Sequence, residues 1–315
     1  MRRSARVVGP ALVLGVLVWR LGTSPFLDGL RTINGAALAA AVGLVALTTL
    51  CSAWRWKLVA GGLGVDLSLP TAVGAYYRSL FLNVVLPGGI VGDVHRGVSH
   101  GREVSNVGRG LRSVAWERLA GQVVQLVLTV GVLLALPSPV RSFMPVLVIA
   151  VAVVAFGFLL VVRKRADGPR SAWARVLSAS GADIRDGVLA RRSWLGITLA
   201  SALAVVGHAA VFLLAARTAG TTAPLLRMLP IASIVLWAGV FPSVAGLGPR
   251  EGLTAWAFGA AGLGAARGVA AAVVYGVMIL VACLPGAVFL VIGWLRDTRR
   301  TRRPKLPLRE RAARV

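Results

Sequence analysis

The sequence has little charge for its length, few groups suited to catalysis and almost no sulfur. Only 15% of its 315 residues are Asp, Glu, Lys or Arg, and there are three His and two Cys. A soluble chain carries about 25% charged and about 45–50% apolar residues. Here apolar residues reach 57% and the mean hydropathy is +0.79. That excludes the pair of water-soluble domains that the length alone would suggest, and makes lipid the main solvent. Cys51 and Cys283 both lie inside apolar runs and are expected as buried thiols, with no disulfide framework and no CxxC metal site. The patterns HExxH and GxxxxGK[ST] are absent, so no metallohydrolase or self-contained ATP-driven pump is expected, and no cofactor is implied. Acidic residues are scarce as well: 11 Asp+Glu stand against 35 Lys+Arg, a net charge of +24.

What is present is a series of long apolar runs. About 20 apolar residues cross a hydrocarbon core of roughly 30 Å. Runs of that length occupy 7–22, 34–53, 117–136, 143–162, 194–216 and 268–294, which predicts six spans. Arg2, Arg3 and Arg6 precede the first run as in a signal peptide, but Trp19-Arg20 spoils the small-residue cleavage site, so an uncleaved anchor is expected. Trp19, Trp54, Trp56, Trp194 and Trp294 stand near span ends and read as an interfacial belt.

Two further apolar pieces are broken. Residues 71–86 run into LPGGIVGD, and 229–241 run into FPSVAGLGPREG before a second piece at 252–263. A piece of about 13 residues covers only roughly 20 Å as a helix. Proline and glycine there release backbone polar groups, tolerated at membrane depth only against protein or a watery cavity. With both pieces re-entrant and the N-terminus cytoplasmic, 28 of the 35 Lys+Arg fall on the cytoplasmic side. If both pieces crossed, the split would be nearly even. The positive-inside rule prefers the re-entrant arrangement. The fold class expected is therefore an all-α polytopic membrane protein within 1–295, with six spans and two re-entrant broken helices. Residues 34–136 and 194–294 then form an inverted repeat, joined by a basic cytoplasmic loop at 163–192 and followed by a basic cytoplasmic tail at 296–315. Paired broken segments in inverted halves point to a transport site.

Ionisable groups near the bilayer interior are costly, so they are the functional candidates. They fall into three groups: Asp93, His95 and Arg96 after the first break; Arg250 and Glu251 in the second; and Glu117-Arg118 at the mouth of the third span. Arginine offers a planar fork of donors suited to phosphate, and N–H groups at a helix start add to it. Two readings stand for these groups: they hold a lipid phosphate, or they are interfacial Arg–carboxylate pairs that only pin the loops. Gly88, Gly89, Gly92, Gly246 and Gly248 serve either close backbone approach to a ligand or turns and helix packing. Asn83, in an apolar run, needs a partner such as a helix–helix hydrogen bond, and His208 reads as a packed, neutral side chain. The loop 163–192 and the tail lack interleaved aromatics; attraction to anionic lipid head groups explains them, and no nucleic-acid partner is expected.

NVVLPGGIVGDVHR, WERLAG at 116–121 and AGLGPREG together resemble the motifs of the lysylphosphatidylglycerol synthase transmembrane region, a flippase-like membrane family. The likeness covers roughly 10–295. It implies movement of aminoacylated phosphatidylglycerol between leaflets. Some members also carry a soluble domain that transfers lysine from tRNA to the lipid. This chain stops 20 residues after its last predicted span, so no enzymatic activity is expected. By position, Pro87 matches the family motif, and the resemblance assigns substrate-binding roles to Asn83, Gly88, Gly92, Asp93, Arg96, Glu117, Arg118, Gly246, Gly248, Arg250 and Glu251. Ser243-Val244-Ala245 departs from the family's Pro-Gly-Gly pattern, which puts a lysylated head group in doubt.

The expectation is a plasma-membrane lipid translocator whose breaks line one polar cavity. Arg96 and Arg250 would hold phosphate, and Asp93, Glu117 and Glu251 would orient them or hold a cationic head group. Two alternatives share these features: a secondary transporter of a small amphipathic or anionic solute, and a membrane partner of a lipid-modifying enzyme. The sequence does not fix the oligomeric state.

Overall fold

The computed structural model describes residues 19, 23–136, 193–241 and 248–301. The predicted spans 7–22 and 143–162, the basic loop 163–192, most of the tail, and Pro242 and Gly246 lie outside the described residues. Within them, all regular structure is helical: α1 Ser24–Arg31, α2 Gly35–Gly62, α3 Leu69–Val85, α4 Val91–Glu103, α5 Val107–Ala135, α6 Trp194–Thr218, α7 Leu225–Val235, α8 Pro249–Ala260 and α9 Ala265–Thr301. Four stretches are long and apolar enough to cross a membrane: Gly35–Gly62, Val107–Ala135, Trp194–Thr218 and Ala265–Gly293. They contain four of the six predicted spans. Two boundaries differ in a way that matters: α2 continues nine residues past the predicted end, and α5 begins ten residues before its predicted start. Both extensions carry the polar residues that hydropathy alone assigns to loops.

Local chemistry sets the helix ends. Asn34 accepts the Ala37 N–H at 2.8 Å and Asn106 accepts that of Arg109 at 2.9 Å, each filling an orphan donor of a first turn. Leu86 and Phe241, each preceding a proline, are extended, as the proline ring requires, so α3 and the single 3-10 turn that prolongs α7 stop there. Gly88 lies at φ 107° and Gly248 at φ 110°, left-handed backbone open in practice only to glycine. The two halves thus share one order: long helix, short helix, break, short helix, long helix.

Packing relies on small residues, as it must where lipid gives no hydrophobic drive between helices. Helices α2 and α6 meet where Gly207 accommodates Thr48. Helix α9 packs on α3 through Gly286, whose missing Cβ would stand 2.2 Å from the Tyr77 carbonyl oxygen. A larger apolar core gathers Phe212, Met228, Ile231, Phe258 and Met278 from α6 to α9. A smaller one joins Trp56, Tyr76 and Val114 from α2, α3 and α5. Cys51 and Cys283 are buried free thiols. Val123, Val127, Leu199, Val206 and Val288 face outward, where lipid takes the place of a core.

Gly286→Ala is expected to lower the unfolding temperature in detergent, because overpacking against backbone typically costs about 1–3 kcal/mol. Gly74→Ala, with open space around its Cβ, is expected to leave it unchanged or raise it slightly. Thermal unfolding of the two variants side by side checks both signs.

Candidate functional site: an arginine–carboxylate cluster behind a polar cavity

The break after Pro87 folds α3 and α4 into a hairpin, and one amide organises it. Asn83 Oδ1 accepts the Gly92 N–H at 2.7 Å, capping α4 from the neighbouring helix, while Asn83 Nδ2 donates to Asp93 Oδ2 at 2.9 Å. Gly92 lies so close to α3 that a Cβ would fall 2.0 Å from the Ser79 carbonyl oxygen. This glycine therefore serves helix packing. Asp93 also accepts Ser79 Oγ–H at 3.0 Å and one N–H of Arg96 at 3.2 Å, and it pairs with Arg118.

Arg96 then donates to Glu117 Oε2 at 2.9 Å, and Arg55 Nε donates to Glu117 Oε1 at 2.8 Å. Tyr76 O–H reaches the same Oε1 at 3.2 Å. Arg55 extends further to Ser201 Oγ on α6 at 3.3 Å. The guanidinium of Arg96 is sandwiched by the rings of Tyr76 at 4.2 Å and Trp56 at 4.4 Å, a cation–π arrangement available only to aromatics packed beside it. Glu117 is wholly buried and Arg96 is 1% exposed. Five charged residues from α2, α4 and α5 thus form one continuous network.

Glu117 and Arg118 are adjacent on a helix and so point about 100° apart. Glu117 faces the network, and Arg118 faces a cavity of about 310 Å³ with its side chain 40% accessible. The cavity wall also includes Arg55, Asn83, Gln122, Gln125, His208 and Tyr275, and from the second break Arg250. Gly121, the last residue of WERLAG, clears room for Arg55, since a Cβ there would lie 2.7 Å from its Nη1. Gly276 does the same for Arg250 at 2.6 Å from Nη2.

The second break is built more simply. Glu251 is fully buried, accepts the Gly248 N–H at 2.6 Å through Oε2, and holds Arg250 through Oε1 at 3.2 Å. Arg250 lies 5.2 Å from the Tyr275 ring centre. On α4, burial together with the nearby Arg78 and Arg102 keeps the His95 imidazole below its ordinary pKa, so it is neutral near pH 7. His208 donates from Nδ1 to the Ala204 carbonyl at 2.7 Å. No cluster of His, Cys, Asp or Glu fit to hold a metal occurs among the described residues.

Several expectations change. Arg96 lies behind the cavity wall, held by two carboxylates and two rings, so it is not free to grasp a head group. Arg118 takes its place on the wall. Glu117 orients Arg96, as expected, but it also pairs with Arg55, while its sequence neighbour Arg118 pairs with Asp93. Trp56 is no interfacial residue; it is fully buried, with Nε1–H donating to Ser113 Oγ at 3.1 Å. Trp194, by contrast, is exposed at the start of α6. Gly88 serves the turn, while Gly89 reaches the cavity. Arg55 escaped the sequence reading because the span was closed at 53. Drawn to 62, it would have held an intramembrane arginine, itself a functional signal.

Four membrane-length apolar helices around an ion-paired polar interior define a multi-pass integral membrane protein. Residues 5–286 match the lysylphosphatidylglycerol synthase TM region, nearly the whole chain, and the protein belongs to that family. No curated protein and no solved structure matches it.

Glu117→Gln is expected to destabilise the fold by about 3–5 kcal/mol, the cost of leaving buried arginines without their counter-charge. In Glu117→Gln/Arg55→Met the two losses should be clearly less than additive. Chemical unfolding in detergent for the full double-mutant cycle measures the coupling.

Proposed function

We propose that this protein is a lipid translocator, moving an anionic or related phospholipid between leaflets of the plasma membrane. The observation that carries this reading is the single cavity reached from both breaks, with Arg118 contributed by the first half of the chain and Arg250 by the second. Arginine suits phosphate through its planar fork, and each of these two is backed by a buried carboxylate that fixes its direction. Midplane sites between paired broken helices are the architecture of many transporters. The common long–short–break–short–long order supports two related halves. We take their relation to be inverted, with α3–α4 and α7–α8 re-entrant and both termini cytoplasmic, as the Lys and Arg asymmetry of the sequence favours. The reaction proposed is movement without covalent change, so no residue is given a catalytic role.

In this reading Arg118 and Arg250 hold the phosphate in turn or together. Arg55, Arg96, Asp93 and Glu117 keep Arg118 in place. The cavity volume lies at the low end of the roughly 300–1,000 Å³ of small-molecule sites, enough for a head group and too little for acyl chains, which would remain in lipid. The same volume suits a small anionic solute, the second reading. Dependence of transport on an ion gradient, with no lipid movement, would mark that alternative.

The test is lipid movement in proteoliposomes carrying labelled anionic, zwitterionic or lysylated lipids. Arg118→Ala and Arg250→Ala are expected to slow movement by more than about tenfold, equivalent to 1.4 kcal/mol of barrier, while folding is retained. Wild-type rates in both variants would refute the site.

A further inference from the structure

The charge balance of the cavity and its unmatched amides together select one kind of head group. The two ion-pair groups contain four arginines, Arg55, Arg96, Arg118 and Arg250, against three carboxylates, Asp93, Glu117 and Glu251. They are one positive charge in excess, in surroundings where unbalanced charge is expensive. The excess faces the cavity: Arg55, Arg118 and Arg250 line it, and among its described lining residues there is no Asp or Glu. All three carboxylates sit behind the arginines, already engaged. An ammonium group entering here would meet guanidinium groups and no counter-charge.

The rest of the wall is neutral and hydrogen-bonding. Gln122 and Gln125 stand one helical turn apart on α5, following Arg118 on the same side. Among the described residues, the buried atoms Gln122 Oε1 and Gln125 Nε2 have no hydrogen-bond partner. An acceptor and a donor left unmatched on two amides of one cavity wall fit, once those amides turn inward, a ligand whose own groups both donate and accept. A hydroxyl does this; an ammonium and a quaternary amine do not.

We propose that the cavity takes a phosphodiester joined to an uncharged, hydroxyl-bearing head, such as glycerol or a sugar, and rejects aminoacylated and zwitterionic head groups. This rests on the lipid-translocator reading for its source of the phosphodiester, and it departs from the lysylated substrate that the family resemblance implies. Arg118 and Arg250 take the phosphate charge, which cancels the excess. Gln122 and Gln125 take the hydroxyls.

The test is binding, read as thermal stabilisation of the purified full-length protein in detergent. The probes are phosphatidylglycerol, lysyl-phosphatidylglycerol, phosphatidylcholine and water-soluble glycerophosphoglycerol. Phosphatidylglycerol is expected to bind at least about tenfold more tightly than either other lipid. Gln122→Glu, nearly isosteric, puts a carboxylate on the wall; it is expected to weaken phosphatidylglycerol and bring lysyl-phosphatidylglycerol to parity or better. Gln125→Leu should weaken phosphatidylglycerol alone. Equal or tighter binding of the lysylated lipid to wild type would overturn the proposal, as would a folded Gln122→Glu protein with unchanged preference. Binding of glycerophosphoglycerol without any lipid would support the head-group chemistry and refute the lipid translocator. Lipid movement favouring lysyl-phosphatidylglycerol would do the reverse.

Discussion

Glu117 is the residue on which the interior depends. A carboxylate with no accessible surface is tolerable only when cations and hydrogen-bond donors surround it, and Glu117 draws them from three directions: Arg55 on α2, Arg96 on α4 and the Tyr76 hydroxyl on α3. Those contacts tie the helical hairpin of the first break to a membrane-length helix on each side. Through Arg55 the tie continues to Ser201 on α6, so the second half of the chain is attached to the same charge. Buried ion pairs are often no more stabilising than an apolar replacement. Their value here lies in direction: Asp93, anchored by Asn83 and Ser79, fixes where Arg118 presents its donors.

The two breaks solve one physical problem by different means. Each interrupts a short apolar helix at a proline, turns through a glycine in left-handed backbone, and starts a helix whose third residue is acidic, Asp93 in α4 and Glu251 in α8. A carboxylate in the first turn is favoured by the helix dipole and offers acceptors to orphan N–H groups. In the second half Glu251 does both jobs, taking the Gly248 N–H and orienting Arg250. In the first half the work is divided. Asn83 takes the Gly92 N–H, which leaves Asp93 free for Arg96 and Arg118. That division lets the first break support a five-charge network where the second supports a single pair.

Much of the fold was legible because lipid imposes simple rules. Length and hydropathy located the four membrane-length helices, though the end of α2 and the start of α5 were drawn nine and ten residues short, and the prolines at 87 and 242 marked both breaks. The charged members of the site other than Arg55 were legible too, as costly residues in apolar surroundings. Their pairing was not. Arg55 follows Glu117 in no sequence pattern; the two are 62 positions apart and meet only because α2 and α5 pack side by side. Gln122, Gln125 and Ser201 carry no charge and sit in apolar runs like many packing amides and hydroxyls. Gly121 and Gly276 stand in apolar runs with nothing to set them apart from other helix glycines, yet each is the space into which an arginine folds.

Helix α5 shows how these constraints would combine in the proposed translocation. Its face bearing Arg118, Gln122 and Gln125 borders the polar cavity, while Val123 and Val127 stand exposed on the lipid side. Under that proposal a head group in the cavity would exchange its hydration for fixed donors, and acyl chains along the valine face would never leave an apolar solvent. The barrier to moving a lipid is chiefly the desolvation of its charged head. Arginines held in place by buried carboxylates lower that barrier without having to reorganise, provided nothing they face competes for them. Placing every carboxylate behind the guanidinium groups meets that condition, and so the arrangement that balances the protein interior also leaves the cavity open to an anion.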